Sequence, residues 1–249
     1  MKNKKISKLY DNKYDLIEGK TIIPKRYLII KNEIITNYKG KKKILDIGCG
    51  EGQLLIMLKG FQYQLYGIDV SKNAIEICKK QGLDVYQKDI ENETNFLISV
   101  DIIISADTIE HILDFYKFFN YINKSLTKSG IFIIATPNSN RIDYILKYIK
   151  GRSPTSLQNP LHIRFFSPNS LIEIADSQGF KLVRNLSLSI FPNHPLLSKI
   201  LMKRKSLATL LSEHIILVFQ KVANPKFENI NEVMNLLRRK WYEDYMIRN

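Results

Sequence analysis

Only two cysteines, Cys49 and Cys78, occur in 249 residues, and they form no CxxC pair. A disulfide framework and a cysteine-held structural zinc are therefore not expected. No apolar run reaches the length of a bilayer span. Met1-Lys2-Asn3-Lys4-Lys5 leads into polar sequence without the apolar core of a secretory signal. A cytoplasmic protein is the expectation. The 8 prolines and 11 glycines gather into no linker, so one domain with decorations is expected rather than two. Acidic residues are in deficit, 24 against 38 Lys and Arg, for a net charge of +14. That imbalance favours anionic partners such as nucleotide-linked substrates, nucleic acid or an acidic membrane surface. It equally describes a solvated basic surface, and no Arg-rich tail marks a nucleic-acid arm.

What is present is alternation. A helix is expected from Pro24, with Tyr27, Ile30, Ile34 and Tyr38 on one face and Gly40 as its stop. Apolar runs at 43–47, 64–68, 83–86, 101–105 and 131–135 read as buried strands. Between them, Ser71 caps a helix that turns Ala74, Ile75 and Cys78 inward, and Phe115, Phe118, Phe119, Ile122 and Leu126 repeat at helical spacing. Ser167-Pro168 opens a further helix that stops at Gly179, and 180–187 and 214–222 read as late strands. Strands alternating with helices specify an α/β fold, a doubly wound parallel sheet with helices on both faces. Residues 1–40 form an N-terminal helical cap in this reading, and 41–222 the main domain. Insertions are expected at about 138–163 and 190–212, and 223–249 ends the chain as an amphipathic helix. The 190–212 segment mixes leucines with Lys199, Lys203, Arg204 and Lys205. It suits a lid or dimer helix, and also peripheral contact with an anionic membrane or a lipid-linked substrate.

The chemistry is concentrated at Ile44-Leu45-Asp46-Ile47-Gly48-Cys49-Gly50-Glu51-Gly52, where the first strand ends and a helix opens. Glycines let the backbone turn sharply and approach a ligand, and amides at the helix terminus favour an anionic group. The spacing is Gly-x-Gly-x-Gly with a carboxylate just ahead. A pyrophosphate cradle would read Gly-x-Gly-x-x-Gly, and Asp46 would repel a diphosphate while suiting an amine. The second strand ends at Asp69, seventeen residues after Gly52. There α/β cofactor domains place an acid for ribose hydroxyls.

From about Lys42 to Val222 the chain resembles the class I S-adenosylmethionine (SAM)-dependent methyltransferases. ILDIGCGEG matches their first motif, YGIDVS (Tyr66–Ser71) the second, QKDIEN (Gln87–Asn92) the third, ADTIEH (Ala106–His111) the segment after the fourth strand, and GIFIIATPN (Gly130–Asn138) the fifth strand and its exit. IEH, TPN and HIRFFS (His162–Ser167) narrow the likeness to small-molecule O-methyltransferases of the ubiquinone-biosynthesis and surface-glycan kind. The resemblance implies a Rossmann-like seven-stranded sheet with one antiparallel strand, formed by 214–222. It implies a SAM site, with S-adenosylhomocysteine as product, made by Asp46, Gly48, Cys49, Gly50, Gly52, Asp69, Val70, Asp89, Ile90 and Ala106. In that site Asp69 meets the ribose, Asp89 the adenine amino group and Ile90 the ring.

His111 and His162 are the candidate catalytic residues, since imidazole titrates near neutrality and suits removal of a hydroxyl proton. Each also has a structural reading, His111 at a helix start and His162 beside the wall residues Phe165 and Phe166. Along the chain no His, Cys or carboxylate set has metal-ligand spacing, so a metal-free site is expected. The expected acceptor is a small molecule, anionic or lipid-linked: a glycan, a nucleotide sugar or a quinone precursor. Nucleic acid is the less favoured partner. Ser105-Ala106-Asp107-Thr108 lacks the Pro-Pro-aromatic signature of amino-methylating enzymes, and no Pro-Cys nucleophile occurs. An RNA ribose methyltransferase stays open, as does a SAM-binding partner subunit without turnover.

Overall fold

The computed structural model describes residues 23–151, 161–189 and 210–227, with 229, 231, 232, 234 and 235 beyond them. The chain runs α1 (Lys25–Asn37), β1 (Lys43–Ile47), α2 (Gln53–Leu58), β2 (Gln64–Asp69), α3 (Lys72–Lys80), β3 (Asp84–Gln87) and β4 (Val100–Ala106). A 3-10 turn (Ile109–His111) follows, then α4 (Phe115–Ser125), β5 (Leu126–Pro137), α5 (Ile142–Ile149), α6 (Pro168–Ser177), β6 (Phe180–Asn185), β7 (Leu188–Ser189) and β8 (Ser212–Lys221). The strands pair in the order β3-β2-β1-β4-β5-β8-β6, with the two-residue β7 also on β8. From β3 to β5 every pairing is parallel, and β8 lies antiparallel to both β5 and β6. The antiparallel strand expected from 214–222 is therefore present.

The strands are apolar on both faces because helices cover both. Successive residues point to opposite sides, so Leu45, Ile103, Phe132, Ile134, Leu217 and Phe219 join one core with Phe118, Phe119 and Phe180. Their neighbours Ile44, Ile102, Ile104, Ile131, Ile133, Ile216 and Val218 join the other, under Ile30 and Ile34 of α1. Local chemistry sets several boundaries. Ser71 Oγ accepts from Ala74 N at 3.2 Å to cap α3. Ser167, the N-cap of α6, and Ser170 in its first turn form a capping box, with Pro168 opening the helix. At Gly179 φ is +81°, and a Cβ would stand 2.2 Å from the Ala223 carbonyl oxygen. Gly179→Ala is expected to cost about 2 kcal/mol or more, read as a lowered chemical-denaturation midpoint.

Two expectations need correction. Pro24 is the N-cap of α1, extended at ψ 138°, and helical geometry starts at Lys25. Leu126 belongs to β5 and pairs with Val100, so α4 ends at Ser125; a bulge before Ile131 and a left-handed Ser129 absorb the extra residues. The insertion expected at about 138–163 contains α5, started by Arg141 as its N-cap. Its apolar Leu146 and Ile149 are exposed, which is why core periodicity did not mark it. The basic stretch at 190–212 falls mostly outside the described residues. So does the apolar stripe of the terminal helix at Ile230, Val233, Leu237 and Trp241. Among the described residues no helix is long and apolar enough to cross a membrane.

Candidate active site

Parallel strands leave a crevice beyond their carboxyl ends, where the order of connections reverses between β1 and β4. Here that crevice is a pocket open at its mouth. Gly48, Asp69, Val70, Asp89 and Ile90 line it, as the sequence suggested, and so does His111. Lys88, Glu91, Asp107, Thr108 and Ile112 also line it and were not singled out. Asp46, Cys49, Gly50, Gly52 and Ala106, also expected at the cofactor, are not among its lining residues.

Gly48, Gly50 and Gly52 all take left-handed φ, at +74°, +51° and +79°. A Cβ on Gly48 would lie 2.1 Å from Thr108 Oγ1, so the turn and the end of β4 pack too closely for any side chain. The amides of this turn are engaged within the protein. Gly48 N and Cys49 N donate to Ile68 O at 2.8 and 3.1 Å, Gly52 N donates to Cys49 O at 2.9 Å, and Gly50 N donates to Asp69 Oδ2 at 2.9 Å. These bonds engage the amides of the turn itself, and α2 begins just beyond them at Gln53. Asp69 is fixed from both sides, since Ser71 N donates to its Oδ1 at 2.8 Å. Asp89 is fixed likewise, by Glu91 N at 3.1 Å and Asn92 Nδ2 at 2.8 Å.

Burial sets the electrostatics. Asp46 is 4% exposed, and desolvation, with Asp69 adding repulsion, raises its pKa to about 7. The Cys49 thiol is pushed well above its usual range by its contact with Cys78 and then by burial. It packs among Leu55, Ile75 and Val85 and offers no nucleophile. Asp107 is left-handed at φ +55° and is held by an ion pair with Arg26 of α1. Sequence periodicity placed α1 on the core but gave no sign that Arg26 reaches the end of β4.

The two candidate histidines come together. His111 and His162 meet edge to face with ring centres 4.9 Å apart. His111 Nδ1 donates to Leu161 O at 3.0 Å, so that nitrogen carries a proton. Between them and the core lies Glu110, only 1% exposed, whose pKa is raised to about 8 chiefly by desolvation and then by Asp107. Thr136 Oγ1 donates to its Oε2 at 2.9 Å. The amides of Ile163 and Arg164 donate to its backbone carbonyl at 2.9 and 3.1 Å, which pins the His162 loop onto the 3-10 turn. Linear spacing hid this cluster, because the loop returns from far along the chain.

Comparison with known proteins agrees with this geometry. The family described as "Methyltransferase domain" matches residues 24–185. A ubiquinone biosynthesis O-methyltransferase of Pelagibacter ubique is 30% identical over 177 residues, covering 64% of this chain and 73% of that protein. One from Rickettsia canadensis is 27% identical, covering 65% and 72%. Among solved structures, an O-methyltransferase of a Brevibacillus brevis polyketide multienzyme, in complex with S-adenosylhomocysteine, superposes with TM-score 0.56 at 17% identity, covering 79% of this chain and 72% of that one. The [4+2]-cyclase SpnF superposes with TM-score 0.59 at 17% identity, covering 80% and 82%. The last pair shares the fold alone, and a fold does not choose a reaction. The family match over most of the described domain does, and the chain belongs to the methyltransferase-domain family as a SAM-dependent methyltransferase of class I.

Proposed function

We propose that this protein methylates an oxygen of a small-molecule acceptor, and that a hydroxyl on a quinone precursor is the acceptor class to test first. The supporting observation is that one cavity carries both Asp69 and Asp89, suited to a nucleoside, and His111, suited to a hydroxyl. The curated relatives named as ubiquinone biosynthesis O-methyltransferases favour a quinone precursor over a glycan or nucleotide sugar.

The residues fit the cofactor. Asp69 presents a fixed carboxylate to the ribose hydroxyls, Asp89 accepts from the adenine amino group, and Val70 and Ile90 flank the ring. Asp46, at the end of β1 and beside Asp69, is the acid for the cationic amino group, which offsets the cost that burial puts on its ionised form. SAM supplies a methyl group already activated on a sulfonium, so the protein's task is alignment, exclusion of water and activation of the acceptor oxygen. That activation falls to the Glu110–His111–His162 end.

The test is S-adenosylhomocysteine release in the presence of catechols, quinols and sugar nucleotides, with the methylated atom located by NMR. A methylated hydroxyl is the expected product, and methylation of nitrogen or carbon alone would overturn the reading. His111→Ala is expected to lower kcat about tenfold or more while cofactor affinity stays unchanged.

A further inference from the structure

Helix α1 is poorly served by its own sequence. Its N-cap, Pro24, makes no side-chain capping bond, its first turn carries no acid and its last turn no base. Lys25 and Arg26 stand instead at the positive end of the helix dipole, and Glu33 lies toward the negative end, the reverse of the stabilising order. What holds α1 is therefore tertiary. Ile30 and Ile34, both fully buried, face the core that β1, β4, β5 and β8 share on that side of the sheet. Arg26 and Glu33 bracket them on the same face, two turns or about 10 Å apart, and each makes an ion pair.

The partner of Glu33 is brought to it by a bulge in the sheet. In β6, the last strand of the sheet order, Leu182 lies opposite Phe219 and Arg184 opposite Val218, so Val183 is an extra residue. Phe219 belongs to the core away from α1, and Val218 to the core beneath it. Regular alternation would put Arg184 on the face of Leu182; the bulge turns it to the α1 face. There Arg184 Nε donates to Glu33 Oε1 at 2.7 Å and Nη2 to the Tyr38 hydroxyl at 3.4 Å. Asn37 Nδ2 donates to the second Glu33 oxygen at 2.9 Å. Glu33 is 7% exposed, so its charge depends on these partners.

The other end of α1 reaches the cofactor cavity. Arg26 pairs with Asp107, which lines that cavity, and Tyr27 packs on the same core. We propose that Glu33 and Arg184 are positioning residues for SAM: by clamping the far half of α1 to β6, they set where its first turn meets the cavity wall at Asp107. Neither residue lines the cavity, so their effect reaches the cofactor only through the helix. A helix without stabilising ends opens as a unit when an anchor is lost. Both anchors sit on one rigid rod, so releasing Glu33 also loosens Arg26, and Asp107, held left-handed at φ +55°, loses the pairing that fixes it. The proposal rests on the family's cofactor and holds whatever the acceptor is.

The experiment compares the full chain with Arg184→Ala, Arg184→Lys and Glu33→Gln. S-adenosylhomocysteine binding is measured by calorimetry, and hydrogen exchange is followed at the amides of α1 and of β1, β4 and β5. In Arg184→Ala and Glu33→Gln, exchange across α1 is expected to quicken about tenfold or more and the ligand to bind about tenfold more weakly, with protection of the strands unchanged. Arg184→Lys keeps the charge and is expected to recover part of both effects. Faster exchange of α1 with affinity within twofold of wild type overturns the proposal, because the pair would then only staple the fold. So does unchanged exchange of α1. Equal loss of protection in the strands overturns it too, since weaker binding would then follow from general unfolding. A Lys variant as impaired as Ala would show that the charge is not what holds α1, and would likewise overturn it.

Discussion

Asp69→Ala is expected to weaken S-adenosylhomocysteine binding by about 1,000-fold, to the edge of calorimetric detection. Two contributions add. A carboxylate accepting from two ribose hydroxyls makes charge-assisted hydrogen bonds of about 1.5–3 kcal/mol each, and about 4 kcal/mol together is about 1,000-fold. The same carboxylate holds the glycine turn through Gly50 N and the start of α3 through Ser71 N. Losing it therefore loosens the two edges of the cavity as well. Asp69→Asn separates the contributions, because its amide keeps one acceptor oxygen but turns a donor toward Gly50 N or Ser71 N. An intermediate affinity is expected for Asn, with thermal stability measured beside it. An Ala variant that binds within threefold of wild type would remove Asp69 from the cofactor site.

The legibility of this protein follows the range of the interactions involved. β1 to β5 and the caps at Ser71 and Ser167 are written locally, in apolar runs and in a hydroxyl just ahead of a helix. The cofactor half of the cavity is equally local, since each acid sits at or near the end of its strand: Asp46 is the last but one residue of β1, Asp69 ends β2, and Asp89 follows β3. The antiparallel strand β8 was legible only by resemblance, because its run Ile215–Phe219 is buried on both faces whatever its direction. α5 escaped notice because its apolar side is solvent-facing at Leu146 and Ile149. The acceptor half was least legible. Arg26 on Asp107 and His162 beside Glu110 join segments far apart in sequence, and pairwise proximity of that kind leaves no periodic trace. Glycine spacing likewise announces a close approach of the chain at this turn without showing which amides of the turn are bonded within the protein.

Asp46 supplies the second large effect, and it is one of pH. Its folded-state pKa is raised to about 7 by burial and by Asp69, so the cofactor-free protein holds a proton there that the unfolded chain has released. The apo protein accordingly loses stability as pH rises from about 4 toward 7. A cationic amino group placed against Asp46 favours the ionised carboxylate, so binding expels that proton at any pH below 7. Affinity for S-adenosylhomocysteine is then expected to rise about tenfold per pH unit, roughly 100-fold from pH 5 to 7. It should level above 7 and decline once the ligand's own amino group, with a pKa of about 7.7–8.0, begins to lose its charge. Asp46→Asn carries no titrating group and should show a flat profile below 7, at the affinity wild type has near pH 5. In Asp69→Asn, with the neighbouring repulsion removed, the break near 7 should move to lower pH. Calorimetry in buffers of different ionisation enthalpy counts the proton directly. Release of close to one proton per ligand at pH 6, absent in Asp46→Asn, is the expected result; a pH-independent affinity in wild type would place the amino group away from Asp46.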